Sequence, residues 1–201
     1  MSDAIAATPK RRVGRIIGRI AFGVLAGILV LATAAAFFLV WTIQRSFPQT
    51  TGELALKGLQ AQVTVQRDDR GIPTVTAGNT HDLYFAQGFV HAQDRFWEMD
   101  FRRHVTSGRV AELFGASQVG TDSFLRTLGW HAVAQQEVDA MDTKTRDLYQ
   151  AYADGVNAYI KDHTGSAASL EYAVLDLTTP GYVPEPWTPA DSVAWLKAMA
   201  W

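Results

Sequence analysis

Residues 86–99 read AQGFVHAQDRFWEM. Leu83, Ala86, Phe89, Val90, Phe96, Trp97, Phe101 and Val105 fall near helical spacing. This predicts one long helix, with Thr80 as its N-cap and Ser107-Gly108 at its end. Gly88 is expected to interrupt it. His91 and Arg95, Asp94 and Glu98, Arg95 and Glu98, and Glu98 and Arg102 are neighbours on such a helix. The polar stretch from His91 to His104 has two readings, an acid-base or metal site and a buried or half-buried ion network in which arginine forks meet carboxylates. The network is the simpler one. Arg95, set among Phe89, Phe96 and Trp97, is expected to be buried and paired with Asp94, Glu98 or a more distant acid. His81, His91 and His104 lie ten and thirteen residues apart and match no compact metal motif.

Upstream, Val63, Val65 and Arg67 alternate with Thr64 and Gln66. Asp68-Asp69-Arg70-Gly71 is a turn signal, and Ile72-Pro73-Thr74-Val75-Thr76 follows. This predicts a β-hairpin whose second strand starts at Pro73 or lies at an edge. Downstream, a second helical stretch is predicted from about Asp122 to Ala140. A third follows Asp142 as N-cap, with Leu148, Tyr152, Val156 and Tyr159 on one side. Pro180, Gly181, Pro184 and Pro186 mark an irregular crossing. Thr188-Pro189-Ala190-Asp191 then opens a last helix, with Thr188 at the N-cap, Pro189 at N1 and Asp191 at N3. No terminating signal appears before Trp201, so the expectation is the front part of a longer protein.

The other end differs in kind. From Ile20 to Ile43 no residue carries a charge. As a helix this run is about 36 Å long, enough to cross a hydrocarbon core of about 30 Å. Lys10, Arg11, Arg12, Arg15 and Arg19 precede it, and only Arg45 follows closely. The positive-inside rule then keeps residues 1–19 in the cytoplasm and puts the main domain outside, in a single-pass cell-membrane protein. A cleavable signal peptide is the rival, with Ala34 to Ala36 offering small residues for cutting. The apolar run continues past them, which favours an uncleaved anchor. Residues 44–60, with Pro48, Gly52 and Gly58, read as a linker, and residues 61–201 as the domain.

The chain has 201 residues, a net charge of -2 and no cysteine. The near-neutral balance gives no general pull toward nucleic acid. Disulfides and thiolate metal sites are excluded. No Gly-x-Ser-x-Gly elbow and no Gly-rich phosphate loop occurs. These residues alone make no complete active site, so no catalytic residue and no metal ligand is assigned to this chain.

Three stretches in register carry a family resemblance. The first is residues 65–77, VQRDDRGIPTVTA, with Arg67, Asp68, Gly71 and Pro73. The second is residues 86–99, with His91, Asp94, Arg95 and Glu98, continuing through Arg102-Arg103, Gly108-Arg109 and Glu112-Leu113-Phe114-Gly115. The third is residues 151–158, AYADGVNA, followed by Pro186-Trp187-Thr188-Pro189-Ala190-Asp191. Together they closely resemble the N-terminal, α-chain part of the penicillin acylase (penicillin amidase) family of N-terminal-nucleophile hydrolases.

The resemblance implies an α+β fold, the N-terminal part of an αββα sandwich made of the β-hairpin and several helices. It implies a precursor that cuts itself into α and β chains, with a β-chain nucleophile, usually serine, whose own α-amine is the base. The implied reaction is hydrolysis of linear amides of N-acyl compounds, such as β-lactam side chains or acyl-homoserine lactones. The implied partners are membrane lipid, the missing β-chain part and a small N-acyl substrate. No cofactor is implied in this chain, and calcium is allowed in the whole protein. The motif residues look structural. The rival reading is a catalytically inactive, membrane-anchored binding or scaffold protein of the same fold.

Overall fold

A computed structural model describes residues 10–201, without the side chains of residues 10–13. Of the expected basic N-terminus, residues 1–9 lie outside the described residues. The chain divides into two units, residues 1–44 and residues 45–201.

The first unit is helix α1, Lys10–Gln44. It starts ten residues before the uncharged run. Its segment Gly14–Gln44 contains an 18-residue window of mean hydropathy 2.5, none of it buried. The helix is therefore long and apolar enough to cross a membrane.

The second unit is mainly helical, with one small sheet. Strands β1, Thr64–Arg67, and β2, Pro73–Thr76, pair antiparallel with Arg67 opposite Pro73 and Thr64 opposite Thr76. The connecting loop is locally determined. Asp68 Oδ1 accepts from the N–H groups of Arg70 and Ile72, 2.9 and 2.8 Å away. Gly71 takes the left-handed φ of 78° that the turn requires. Pro73 is the first residue of its strand, where a missing N–H does least harm.

Helix α2, Thr80–Ser107, departs from its sequence reading in three places. Its N-cap is Asn79, not Thr80: Asn79 is extended, and its Oδ1 accepts from the Asp82 N–H at 2.8 Å. Gly88 does not interrupt it. The backbone leaves helical geometry at Arg95 instead (φ -146°, ψ 27°), so two helical segments meet there. Its C-terminal end falls where expected, with Gly108 left-handed and its N–H turned back to His104 and Val105.

Short helix α3, Val110–Phe114, follows, then α4, Val119–Leu128, and α5, Trp130–Ala140. One helix was expected from Asp122 to Ala140. Gly129, at φ 67°, caps α4 and breaks the run. Helix α6, Thr143–Asp162, has the expected Asp142 cap, which accepts from the Thr145 N–H at 3.0 Å. After α7, Glu171–Leu175, an irregular proline-rich crossing leads to α8, Pro189–Ala200. At its start Asp191 Oδ2 accepts from both the N–H and the hydroxyl of Thr188, each at 2.8 Å.

Helices α2 and α6 pack so closely that glycine is needed on both. A Cβ on Gly88 would sit 2.1 Å from the Tyr152 carbonyl oxygen, and one on Gly155 would sit 1.9 Å from that of Phe85. The core around this pair contains Phe89, Phe96, Leu113, Val156, Tyr159 and Trp187. A smaller cluster, Ala134, Val138, Ala190, Val193 and Ala194, joins α5 to α8. Residues 45–63 form no helix or strand, but they are tied down at two places. The buried carboxylate of Asp82 accepts from the Gln60 and Ala61 N–H groups at 2.9 Å each. Gln93 Nε2 donates to the Gln49 carbonyl at 3.0 Å.

Candidate functional site

The polar face of α2 divides at the Arg95 kink. Before the kink, Arg67 of β1 grips Asp94 with both guanidinium nitrogens, at 2.9 and 2.8 Å, and also reaches Gln93 Oε1 at 3.0 Å. This planar fork fastens the hairpin to the helix. His91 Nδ1 lies 2.9 Å from the Tyr152 hydroxyl of α6. Partial desolvation holds the pKa of the exposed His91 below the ordinary imidazole value, opposed by Asp94 and assisted by Arg95. Burial also raises the Tyr152 hydroxyl to about 12.

Arg95 is not buried. Its side chain is 72% exposed and 3.7 Å from Glu98, which also pairs with Arg102. The expected burial of Arg95 fails because the kink breaks the helical phase. Phe96 turns into the core while Arg95 faces water, and the partner of Asp94 is Arg67, on another element.

Beyond the kink lies a polar cluster in the part of residues 91–104 where the sequence reading expected an ion network but named no partners. Asp100, Arg103 and His104 are all buried. Asp100 Oδ1 accepts from Arg103 Nη2. Its Oδ2 accepts from the hydroxyls of Tyr172 and Tyr182, each at 2.8 Å. Arg103 Nη1 donates to the carbonyls of Glu185 and Pro186, at 2.9 and 3.2 Å, so the proline-rich crossing is held onto α2. His104 Nδ1 sits 2.7 Å from the Asp100 carbonyl and must carry a proton there. Its Nε2 lies 3.3 Å from the Tyr182 hydroxyl.

The electrostatics follow from this geometry. Burial alone would pull the Arg103 pKa down, but Asp100 and Asp191 push it above its ordinary value. Burial and then the Asp100 charge raise both Tyr172 and Tyr182 well above the usual phenol value. Burial would raise Asp191, yet His131, Thr188 and Arg103 hold it below the usual carboxylate range. The one available signal in sequence was the spacing of Asp100, Arg103 and His104 along one helical face.

Gly108 and Glu112, the remaining motif residues, and Asp122 contact neighbouring elements. The Gly108 carbonyl accepts from Arg126 Nε at 2.9 Å, and a Cβ there would meet Arg126 Cγ at 2.6 Å. Glu112 lies 3.6 Å from both Arg109 and His104. Asp122 caps α3 from α4, accepting from Val110 and Ala111 at 2.7 and 2.8 Å.

A cavity of about 540 Å³ opens between α2, α6 and α8. Tyr149, Tyr152, Trp187, Trp195 and Leu196 are among its walls, with Arg103, Asp191 and Ser192 as polar groups. Arg102 stacks over Trp195 at 4.1 Å. The shape and composition suit an apolar group with a polar end. Ser192 accepts from Trp187 Nε1 at 2.9 Å, Ser107 donates to the Arg103 carbonyl, and Ser169 bonds to Glu171. Among the described residues no group of three or more His, Cys, Asp or Glu side chains comes together to hold a metal ion.

With this geometry in view, the penicillin amidase family model matches residues 62–201. Penicillin acylase 2 proenzyme of Pseudomonas sp. (strain SE83) is 38% identical over 157 residues, covering 78% of this chain and 19% of that protein. Acyl-homoserine lactone acylase QuiP of Pseudomonas fluorescens (strain Pf0-1) is 34% identical over 174 residues, covering 85% and 20%. Among solved structures, the thermostable penicillin G acylase of Alcaligenes faecalis aligns with a TM-score of 0.57 at 31% identity, covering 69% of this chain and 72% of that one. The chain belongs to the penicillin amidase family. It spans about a fifth of the length of these two curated relatives.

Proposed function

We propose that residues 61–201 are the α-chain segment of an amide-hydrolysing acylase precursor. The observation that carries this reading is the family match across residues 62–201. In the proposal the hairpin joins a larger αββα sandwich completed by a β-chain part. The nucleophile is the first residue of that part. Its α-amine, with an ordinary pKa near 8, takes the proton of the attacking side chain and gives it to the departing amine as the C–N bond breaks and an acyl-enzyme forms, and water then releases the acid. The substrates are linear amides of N-acyl compounds, a class supported by the names of both curated relatives. This segment contributes structure. Its motif residues hold hairpin, crossing and α8 in register, no catalytic residue or metal ligand is assigned to it, and calcium is allowed in the whole protein.

The same proposal makes α1 an uncleaved anchor, with residues 1–19 cytoplasmic, residues 20–43 spanning, residues 44–60 linking and the domain outside. Its support is the uncharged run, the five cations before it and the length of the helix. An export-dependent reporter fused after Lys57 is expected to be active, and an active cytoplasmic reporter there reverses the topology. For the chemistry, the complete precursor and the isolated segment 45–201 are each incubated with a chromogenic phenylacetyl amide and with N-acyl-homoserine lactones. Turnover by the precursor alone, after self-cleavage, is expected. Turnover by the repurified segment overturns the assignment of the nucleophile.

A further inference from the structure

The uncharged run of α1 begins at Ile20, but the helix begins at Lys10. At about 1.5 Å per residue, residues 20–43 already exceed a hydrocarbon core of about 30 Å. The ten residues before them add about 15 Å of continuous helix, long enough to pass through a headgroup layer.

By helical spacing the stretch from Arg11 to Ile20 is sided, while Lys10 falls beside its apolar arc. At about 100° per residue, Arg11, Arg12, Arg15 and Arg19 fall within one arc of about 100°. Val13, Ile16, Ile17 and Ile20 fall within a separate arc of similar width. Arg15, Arg19 and the three isoleucines are exposed. No acidic residue occurs between Lys10 and Gln44 to neutralise the basic side. A transmembrane flank needs cations but not an ordered face. Here, by helical spacing, basic and apolar faces lie along one continuous helix.

We propose that this end of α1 is a docking surface for anionic phospholipid headgroups. The inference rests on the membrane reading of α1 above. The arginines meet lipid phosphates, for which guanidinium is suited by its planar donors and weak hydration. The valine and isoleucines lie at the acyl boundary. Each cation near an anionic leaflet favours it about fivefold, so the face prefers anionic over zwitterionic lipid.

The test uses the whole chain, purified in mild detergent with equimolar phosphatidylcholine and phosphatidylglycerol, with retained lipid measured by mass spectrometry. Phosphatidylglycerol is expected to be enriched by at least about fivefold. The enrichment is expected to vanish in the Arg11→Gln/Arg12→Gln/Arg15→Gln/Arg19→Gln variant and to fall in high salt. Equal retention of the two lipids, or enrichment that survives the four substitutions, overturns the proposal. Displacement of the lipid by inorganic phosphate at constant ionic strength also overturns it, in favour of a free-phosphate site. Alkaline extraction of membranes tests the anchor separately. A chain that resists extraction but shows no lipid preference loses only this inference, whereas a chain that is extracted loses the membrane reading as well.

Discussion

Helix α1 and the α2–α6 pair both carry glycine inside helices, in opposite settings. In α1 nothing lies within 4 Å of a Cβ built on Gly14, Gly18, Gly23 or Gly27. In the pair, the carbonyl oxygens of Tyr152 and Phe85 occupy the space a Cβ would take. Glycine costs about 1 kcal/mol relative to alanine in either helix. Only in the pair does the surrounding backbone demand it. Arginine repeats the contrast within α2, where Arg103 is 2% exposed and bonded on several sides while Arg95 faces water. Residue type tells little about a helical position until its neighbours are known.

Breaking the buried side of this contrast has the largest expected effect. Arg103→Ala leaves Asp100 buried without its cation and frees two carbonyls of the crossing. It is expected to cost about 3–5 kcal/mol, measured by urea unfolding of the chain in detergent. A loss below about 1 kcal/mol means that water reaches the cluster. Gly155→Ala comes next, at about 1–3 kcal/mol, because the added methyl group must push the α2 and α6 backbones apart. An unchanged unfolding midpoint refutes the close approach of these helices.

The carboxylate that ties residues 60 and 61 to α2 sharpens the comparison through pH. Burial opposes ionisation of Asp82, yet hydrogen bonds from Gln60, His81, Asn79 and Ala61 outweigh it and hold its pKa down to about 2. The folded pKa lies below the unfolded value of about 3.9, so the stabilisation is fully present above about pH 4 and is lost as pH falls toward 2. The stability difference between the natural chain and Asp82→Asn is therefore expected to shrink across that window. A difference that stays constant from about pH 5 to pH 2 removes Asp82 from the account.

The two smallest effects lie on the exposed side. Arg95→Ala is expected to cost no more than about 1 kcal/mol, since its pair with Glu98 is open to solvent. A loss as large as that of Arg103→Ala places Arg95 in the interior after all. Gly27→Ala is expected to leave the unfolding midpoint of residues 45–201 unchanged. A measurable loss there means that the glycine meets something within the chain.

Short-range physics made much of this chain readable from its residues. The apolar run, the Asp68 and Gly71 turn, Pro73 at the start of its strand, the Asp142 cap and the Thr188–Asp191 box each act over a few residues. The family was legible too, because its motifs are contiguous stretches in a fixed order. Finer local choices were not. Asn79 and Thr80 are adjacent residues of similar capping chemistry, and only the backbone shows which one stands outside the helix. Gly129 breaks a run whose apolar period continues on both sides.

The polar frame was decided in three dimensions. Asp94 takes Arg67, 27 residues away, rather than its neighbour Arg95. Asp100 takes Tyr172 and Tyr182, 72 and 82 residues away. Helical spacing names the partners available on one helix, but a buried charge is satisfied by whatever packing brings against it. The kink at Arg95 and the glycine contacts of α2 with α6 set that packing. Residue order determined the turn, the family and where most helices run, while tertiary structure selected which charges were buried and what they bonded to.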